Sequence, residues 1–435
     1  MIDLRTHKGG HMNFNTVLLR LGIDPDNFIN QESDPIKTDR GFIYEVAQKS
    51  DIRTCPYCLS EKTVVKDHDI VEINCSETDH IQDVLRIKKV RFKCKNCEKT
   101  FTPRIKGIEP YSKISEQKKR MILNDFTKSI TFSQIAQRYQ LSSARILQFF
   151  DENVPYVPRY PMPEVLCIDE IKFQEEYDQK YCCVLYDFHK KRIVDIIKNR
   201  QMPYLDEYFS AIPESERQKV RYFISDMYDG YATVCRRYFP QSTHIIDLFH
   251  VITQMTNAVN RLRVNTMNAK VMKDSFEYNF MKTHWKEFLC RYSRIQDKFF
   301  TSRKTGEHLH YDDLVFRCVR FDKALLEAYN TLQDLFKYDR YTTFSGSLEF
   351  IENIAARLLS SDSDILRSVG RTYRKWKVGI ANGLAQNQNR IHYTNAIAES
   401  LNNQLQTIIK SAYGYHNFER FRKRALMIIS YKKLE

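Results

Sequence analysis

Two short apolar runs in the middle of the chain end in acidic residues: Val165-Leu166-Cys167-Ile168-Asp169-Glu170 and Tyr222-Phe223-Ile224-Ser225-Asp226. Both runs are rich in β-branched or aromatic residues, which predicts two buried β-strands. In open α/β sheets, strand ends project into a common crevice where ligands gather. We therefore expect Asp169 and Asp226 to lie at the end of, or within, neighbouring strands and to face the same space.

Further predicted elements surround these two runs. Similar short segments predict strands at 181–187, 192–197 and 243–246. Helices are expected over 204–212 and from Leu248 onward. This order of strands and helices predicts a mixed α/β sheet.

The last part of the chain has a helical character. None of the twelve prolines follows Pro240, and a long stretch without strong breakers favours helix. We expect a mainly helical region over 255–385. Beyond it, Glu399 lies in Asn395-Ala396-Ile397-Ala398-Glu399-Ser400-Leu401-Asn402-Asn403, whose apolar residues recur on one face of a predicted helix.

Two CxxC pairs lie nearer the N-terminus: Cys55-Pro56-Tyr57-Cys58 and Cys94-Lys95-Asn96-Cys97. The two-residue gap lets a tight turn present both thiolates to one tetrahedral ion. Apolar and basic residues alternate from Leu85 to Lys93, as in a hairpin strand that leads into the second pair. We predict a zinc ribbon in which these four cysteines bind a structural Zn²⁺, with redox cysteines as the alternative.

The remaining cysteines have other interpretations. Cys75 and His80 lie between the pairs and could substitute as ligands, but four ligands are already present, so we interpret both as loop residues. The other six lie in apolar contexts and are interpreted as small buried hydrophobic residues. They are Cys167, Cys182, Cys183, Cys235, Cys290 and Cys318.

A helix-turn-helix pattern follows the second cysteine pair. Residues 131–139 predict a short capped helix, and Gln140-Leu141-Ser142-Ser143 predicts a turn that carries the cap of a second helix over 144–150. A third helix, over 116–126, is expected to pack against both. In this motif the start of the second helix enters the major groove of DNA. The residues expected to contact DNA are Ser142, Ser143, Arg145 and Gln148.

Composition supports a polyanionic partner. The 435 residues include 68 Lys and Arg against 54 Asp and Glu, a net charge of +14. The excess is concentrated in residues 81–120 and 401–435. The sequence contains no apolar run of about 18 residues, the length that a membrane-spanning helix needs. The N-terminus also lacks the basic, apolar and small-residue order of a signal peptide. We therefore expect a cytoplasmic protein with reduced thiols.

The three acids Asp169, Asp226 and Glu399 have a chemistry in common. Carboxylates that converge from two strands and a helix form a hard oxygen site suited to Mg²⁺ or Mn²⁺. Two such ions can activate an attacking oxygen and stabilise a leaving oxygen at phosphorus. The competing interpretation of each acid alone is a capping or solvated side chain.

The chain resembles the DDE transposases of bacterial insertion sequences, most closely the ISL-type group. The resemblance covers about residues 50–430 and rests on the four cysteines, on the motifs around Asp169, Asp226 and Glu399, and on Ile246-Asp247-Leu248-Phe249-His250-Val251. It implies that Asp169, Asp226 and Glu399 are the catalytic, Mg²⁺-binding triad. Asp247 and His250 would support them, and Glu170 and Asp247 are the rivals for a place in the triad.

The resemblance also implies a multidomain α+β fold. An RNase H-like α/β core would follow the zinc ribbon and helix-turn-helix, and a helical insertion would account for the long separation of Asp226 from Glu399. Four prolines at 155–163 predict the linker before the core. Residues 1–11 are left out of the fold prediction. The expected segments are an N-terminal segment (1–50), zinc ribbon (51–105), helix-turn-helix (106–155), first part of the core (160–254), helical insertion (255–385) and C-terminal core helices (386–435).

The function implied is metal-dependent DNA cleavage and strand transfer, with water and then a 3′-OH as attacking groups. The expected partners are the terminal inverted repeats of the element, target DNA and a second copy of the chain, on the bacterial nucleoid when bound. A transcription regulator with a non-catalytic core is the alternative from another class, because it would keep the DNA-binding features. A tyrosine recombinase is a further alternative, but no clear Arg/His/Tyr constellation supports it.

Overall fold

Strand-forming and helix-forming segments alternate along the chain, and in the computed structural model they group into two units. The first contains residues 1–157 with 431–435, and the second contains residues 158–430. The structure describes residues 14–29, 34–51, 54–78, 81–173, 180–269, 273, 275–301, 306–337, 343–386, 392–393, 396–412 and 415–431. Each unit is described by itself.

The first unit is built around a long antiparallel hairpin. Its strands are β1 (Phe28–Ile29), β2 (Ile36–Thr38), β3 (Gly41–Gln48), β4 (Thr63–Thr78), β5 (Ile81–Cys94) and β6 (Thr100–Phe101). They are ordered β1-β3-β5-β4, with β2 on β3 and β6 on β5. Strands β3 and β5 are parallel, and the other pairs are antiparallel.

The N-terminal segment shares a core with the cysteine-bearing hairpin. Helix α1 (Phe14–Arg20) contributes Leu18, which belongs to the same buried cluster as Leu85 and Ile87 of β5. A side chain at Gly41 would meet the backbone oxygen of Gln82 at 2.2 Å. Only glycine therefore fits where β3 begins to pair with β5.

Three helices complete the first unit: α2 (Glu116–Asp125), α3 (Phe132–Arg138) and α4 (Ser143–Asn153). Their rings pack together, with centroids 4.9 Å apart for Phe126 and Phe150 and 5.2 Å apart for Phe132 and Phe150. Burial of these rings stabilises the arrangement of the three helices.

A five-stranded sheet forms the centre of the second unit. Its strands are β7 (Val165–Lys172), β8 (Tyr181–Asp187), β9 (Arg192–Ile197), β10 (Tyr222–Ser225) and β11 (Thr243–Ile246). The order is β11-β10-β7-β8-β9. Strand β10 is parallel to both of its neighbours, and β8 is antiparallel to both of its own. The mixed sheet predicted from the sequence is thus present.

Helices surround this sheet and extend beyond it. They are α5 (Met202–Ser210), α6 (Glu214–Arg217), α7 (Asp229–Tyr238), α8 (Leu248–Met267), α9 (Phe276–Thr283), α10 (Tyr311–Val319), α11 (Lys323–Leu335), α12 (Phe344–Leu359), α13 (Asp364–Leu384), α14 (Ala396–Ser411) and α15 (Phe418–Tyr431). A small hairpin, β12 (Phe299–Thr301) with β13 (His308–His310), lies between α9 and α10. Short 3₁₀ turns occupy Pro25–Asn27, Trp285–Phe288 and Tyr292–Arg294.

Among its described residues, the second unit has two large apolar clusters. One joins the sheet to α5 and α7, and the other joins helices α8 to α13 to Ile246 of β11. Helix α13 approaches β11 closely, because a Cβ on Gly383 would lie 2.4 Å from the backbone oxygen of Ile246. In the part of the chain that the structure describes, no helix is long and apolar enough to span a membrane.

Candidate active site and metal centre

Three aspartates lie side by side on three neighbouring strands of the second sheet, within β7 and just after β10 and β11. The parallel registers of β10 with β7 and with β11, continued just past their last pairs, place Asp226 between Asp169 and Asp247. The backbone N–H of Asp247 donates to the oxygen of Ser225 at 2.9 Å, so the two chains remain adjacent there. We call Asp169, Asp226 and Asp247 the acid row.

Asp226 is the central member of the acid row. Its Oδ1 atom is buried and finds no hydrogen-bond partner among the described residues. Burial raises the pKa of Asp226 to about 6; the negative charges of Glu170 and Asp169 act in the same direction, whereas His250 opposes them. A buried carboxylate oxygen without a partner is costly, and a bound cation would remove that cost.

Asp169 is held by two hydrogen bonds. The backbone N–H of Glu170 donates to Oδ1 at 2.8 Å, and Nδ2 of Asn402 donates to Oδ2 at 2.8 Å. Burial raises the pKa of Asp169 in spite of these bonds, which act to lower it. The row therefore has two carboxyl groups whose charged forms are disfavoured until a positive charge approaches.

Asp247 supports both a helix and a histidine. It caps α8 by accepting the N–H of Phe249, and its Oδ2 lies 3.2 Å from Nδ1 of His250. Burial by itself lowers the pKa of His250, but the hydrogen bond and charge of Asp247, with the charges of Asp169 and Asp226, outweigh it and raise the pKa. The upward shift favours the protonated form of His250, which lies beside the acid row.

Glu399 lies on α14, one helical turn before Asn402, and its side chain is exposed. Among the described residues, four cysteines form the only group of three or more His, Cys, Asp or Glu whose ligand atoms all lie within 4.8 Å of one another. The structure therefore places Glu399 on the helix that contacts Asp169 but does not gather Asp169, Asp226 and Glu399 to that distance.

Glu170, a rival for the catalytic triad, has other partners. Nη1 of Arg200 lies 2.8 Å from Oε2, and the hydroxyl of Tyr231 donates to Oε1 at 2.9 Å. Successive side chains of a strand point to opposite faces, so Glu170 points away from the face used by Asp169. This ion pair favours Asp169 over Glu170 as a metal ligand.

The four cysteines of the predicted ribbon come together at one end of the β4–β5 hairpin. The Sγ atoms of Cys55 and Cys97 are 3.6 Å apart, as are those of Cys58 and Cys94. This exceeds the disulfide length of about 2 Å and is close to the separation of ~3.8 Å that a tetrahedral ion with Zn–S bonds of about 2.3 Å requires. The donor set fits Zn²⁺.

Local backbone geometry shapes this cysteine site. Leu59 and Glu98, the residues after Cys58 and Cys97, have positive φ angles of 59° and 60°. The N–H of Cys94 accordingly donates to the oxygen of Lys99 at 3.0 Å, which closes the second turn.

Hydrogen bonds favour the thiolate form of one of these cysteines, Cys58. A backbone hydrogen bond at Ser60, followed by the side chain of Asn96, lowers the pKa of Cys58 to about 6. Thiolate is the form that binds a metal ion.

The other cysteines lie in buried or half-buried positions. Cys75 is a buried residue of β4, so its interpretation as a loop residue is wrong. His80 lies outside the described residues. Four of the six remaining cysteines, Cys167, Cys182, Cys183 and Cys235, are buried in or beside the sheet of the second unit, and Cys318 is buried in α10. Cys290 is half-buried.

The residues expected to contact DNA lie at the exposed start of α4. Ser142 caps this helix by accepting the N–H of Arg145 at 3.2 Å. Arg145 and Gln148 both reach Glu152, at 3.7 Å and 2.7 Å. The side of α4 that carries Ile146, Phe149 and Phe150 is buried. Ser142, Arg145 and Gln148, together with Ser143, are therefore presented to solvent by a packed helix.

Two residues at the site were not predicted from the sequence. Asn402 bonds Asp169, and the hydroxyl of Tyr186 donates to Oδ1 of Asn402. The spacing of three residues between Glu399 and Asn402, about one helical turn, could have suggested Asn402 as a site residue. No local pattern in the apolar strand β8 indicates that Tyr186 belongs to the site.

Comparisons with known proteins identify a family and a relative that this chain resembles. A family model for a transposase, the ISL3 type of the DDE class, matches residues 166–425. This range includes the acid row and α14. The curated transposase of insertion sequence element IS1001 from Bordetella parapertussis is 20% identical over 342 residues, which cover 78% of this chain and 79% of that protein.

Proposed function

The chain belongs to the ISL3-type family of DDE transposases, and from this premise we propose that its second unit is an RNase H-like core that cuts DNA at the ends of an insertion sequence and joins them to target DNA. The observation that carries the proposal is the acid row. Asp226 and Asp247 follow the ends of the parallel strands β10 and β11, and Asp169 lies beside Asp226 within β7. A buried oxygen of Asp226 is left without a described partner.

We propose that Asp169, Asp226 and Glu399 hold Mg²⁺ or Mn²⁺. Hard carboxylate oxygens suit these ions, and Glu399 lies one turn from the residue that bonds Asp169. When bound, two such ions would stabilise the attacking and leaving oxygens of a phosphodiester. Asp247 supports the row by holding His250, whose positive charge offsets part of the repulsion between the carboxylates.

The proposed reaction has two steps at phosphorus. Water attacks the phosphodiester at the element end, and the bond to the 3′-oxygen breaks to leave a 3′-OH. That hydroxyl then attacks a phosphodiester of the target and displaces one of its oxygens. Each step exchanges one oxygen for another, so no covalent bond between protein and DNA forms.

The first unit is proposed to bind the DNA. The four cysteines would hold a structural Zn²⁺, and α2 to α4 would act as a helix-turn-helix that reads the terminal inverted repeats with Ser142, Ser143, Arg145 and Gln148. Because transposition requires two element ends to be joined in one complex, we also propose a homodimer on DNA.

Cleavage of labelled element-end DNA, with Mg²⁺ and with EDTA, tests the catalytic assignment. Asp169→Asn, Asp226→Asn and Glu399→Gln should each abolish cleavage and preserve binding to the ends, because the amides retain shape but lose the charge that holds cations. Asp206→Asn is the matched control, since this partly exposed acid pairs with Arg237 instead. A triad variant that still cleaves at the wild-type rate would contradict the assignment.

Asp247→Asn tests whether Asp226, rather than Asp247, is the second acid of the triad. Asparagine is also a good N-cap, so α8 should remain capped. We expect a partial loss of cleavage, because His250 loses its charged partner while Asp169 and Asp226 remain. If Asp247→Asn is inactive while Asp226→Asn still cleaves, the second triad acid lies on the neighbouring strand.

A further inference from the structure

Asn402 connects α14 both to the acid row and to the sheet. Its Nδ2 donates to Oδ2 of Asp169 at 2.8 Å, and its Oδ1 accepts a hydrogen bond from the hydroxyl of Tyr186. Tyr186 lies on β8 and is fully buried. One amide side chain is therefore held between a fixed hydroxyl and a candidate metal-binding carboxylate.

The chemistry of the two partners sets the orientation of this amide. An ionised carboxylate only accepts hydrogen bonds, so the NH₂ group of Asn402 must face Asp169. Burial, together with the charge of Asp169, raises the pKa of Tyr186 well above its usual range, so its hydroxyl keeps its proton and donates to Oδ1. Turning the amide over would lose the bond to Asp169, because two acceptor oxygens would then face each other.

These hydrogen bonds fix the orientation of Asp169 but leave its carboxylate oxygens able to bind a cation. Oδ1 accepts from the backbone N–H of Glu170, and Oδ2 accepts from Asn402. A carboxylate has about four lone-pair positions, so each oxygen retains capacity for a cation. A carboxylate already held in place loses less conformational freedom when a cation binds.

We propose that Asn402 is a positioning residue for Asp169 and that Tyr186 orients it, an inference that rests on the proposed function. Groups that orient metal ligands typically account for about 10- to 100-fold in metal affinity or activity. The proposal separates Asn402 from Glu399, its neighbour on α14: Glu399 would bind the cation, whereas Asn402 acts through Asp169.

A simpler explanation is that Asn402 only docks α14 onto β7. The same helix offers a matched control for that role. One turn later, Nε2 of Gln406 donates to the backbone oxygen of Lys172 in β7 at 2.8 Å. Gln406 thus docks the same helix on the same strand through a bond that involves no acid of the row.

The test compares Mn²⁺ binding by the zinc-loaded full chain, measured by electron paramagnetic resonance, for wild type, Asn402→Ala and Gln406→Ala. We expect about tenfold weaker Mn²⁺ binding for Asn402→Ala and an unchanged affinity for Gln406→Ala. In the cleavage assay, raised Mg²⁺ should restore Asn402→Ala, because its ligand oxygens remain, but should not restore Asp169→Asn.

Tyr186→Phe is the second variant and carries the test if Asn402→Ala does not fold. It keeps the packed ring, removes the hydroxyl, and should weaken Mn²⁺ binding in the same direction by a smaller factor. Equal Mn²⁺ affinities for Asn402→Ala and Gln406→Ala, or an unchanged affinity for Tyr186→Phe, would overturn the inference alone. A wild-type chain that neither binds Mn²⁺ nor cleaves DNA would overturn the proposed function with it.

Discussion

At the scale of single residues, the acid row trades stability for its proposed chemistry. Burial keeps the carboxyl groups of Asp169 and Asp226 away from water, and this raises the pKa of both. A structural carboxylate such as Asp206 shows the opposite behaviour, since hydrogen bonds from Tyr238 and then Arg237 lower its pKa. Raised carboxyl pKa values are common at functional sites, and this difference supports the proposal that the row binds a cation.

The raised pKa of Asp226 gives a prediction about stability. With a folded-state pKa of about 6 against an ordinary value of 3.8, the folded protein binds more protons than the unfolded chain in this range, so stability falls as pH rises from about 4 to 6. Asp226→Asn should therefore stabilise the second unit at pH 7 by about 1–3 kcal/mol, a range discounted for partial exposure. Thermal unfolding between pH 4 and pH 8 measures this.

The difference in stability between Asp226→Asn and the wild type should itself depend on pH. The advantage of Asp226→Asn should shrink toward pH 4, where the wild-type carboxyl group is protonated in the folded state and partly protonated in the unfolded chain, whose ordinary pKa is 3.8. Mg²⁺ should raise the melting temperature of the wild type and leave that of the variant unchanged. Asp206→Asn should give no stabilisation, and an equal gain in that control would show that the effect is not specific to the buried row.

The sequence could predict the chemistry of the site but not all its contacts. Asp169 and Asp226 were predictable because each follows an apolar strand-forming run. Asn402 and Asp169 are separated by 233 residues, so no local pattern predicts that they bond. For Glu399, helical periodicity predicts the helix but does not determine how far its carboxylate lies from the acids of the sheet.

At the scale of elements, local patterns predicted strands well where strand and turn alternate at short range. The structure has β8, β9 and β11 at the residues predicted for them. The parallel pairing of β3 with β5 was not foreseen, because it joins segments separated by β4. Such a pairing depends on a shared core and on glycine at position 41, and neither has a distinct pattern in one sequence.

Helix α4 provides a prediction about DNA recognition. Arg145→Ala and Gln148→Ala should weaken binding to specific element ends by about 1–3 kcal/mol each, because side chains at the start of a recognition helix can contact base edges. Binding to random duplex should change less. Fluorescence anisotropy with both DNAs measures the ratio of the affinity for element ends to the affinity for random duplex.

A basic residue of β5 is the matched comparison for α4. Lys93 is exposed, and we expect Lys93→Ala to weaken binding to both DNAs alike, since a phosphate contact carries no sequence information. Equal losses on both DNAs for Arg145→Ala and Gln148→Ala would mean that α4 contacts the backbone rather than the bases.

At the scale of the whole molecule, the division into two units predicts that one unit can unfold while the other stays folded. Cys94 is fully buried at the end of β5, among the four clustered cysteines. Structural zinc binding supplies folding free energy of about 10–16 kcal/mol in small zinc domains. Cys94→Ser should therefore lose zinc and unfold the first unit while the second stays folded.

Zinc content, limited proteolysis and end binding together check this variant. The second unit should survive as a protected fragment, whereas binding to element ends should be lost. Cys290→Ser, which changes a half-buried cysteine of the second unit, should keep its zinc. Full zinc content and unchanged end binding in Cys94→Ser would reject the metal site.

The hydrogen bond from Asn402 to Asp169 also has a consequence during synthesis. At roughly 5–20 residues per second, a ribosome would add Asn402 on the order of ten to fifty seconds after Asp169, because 233 residues separate them. In that interval the nascent polypeptide has its proposed DNA-reading unit but lacks α14. A product arrested there would occupy element ends without cutting them. Incomplete translation would then yield a competitor of the full-length enzyme and lower the frequency of transposition.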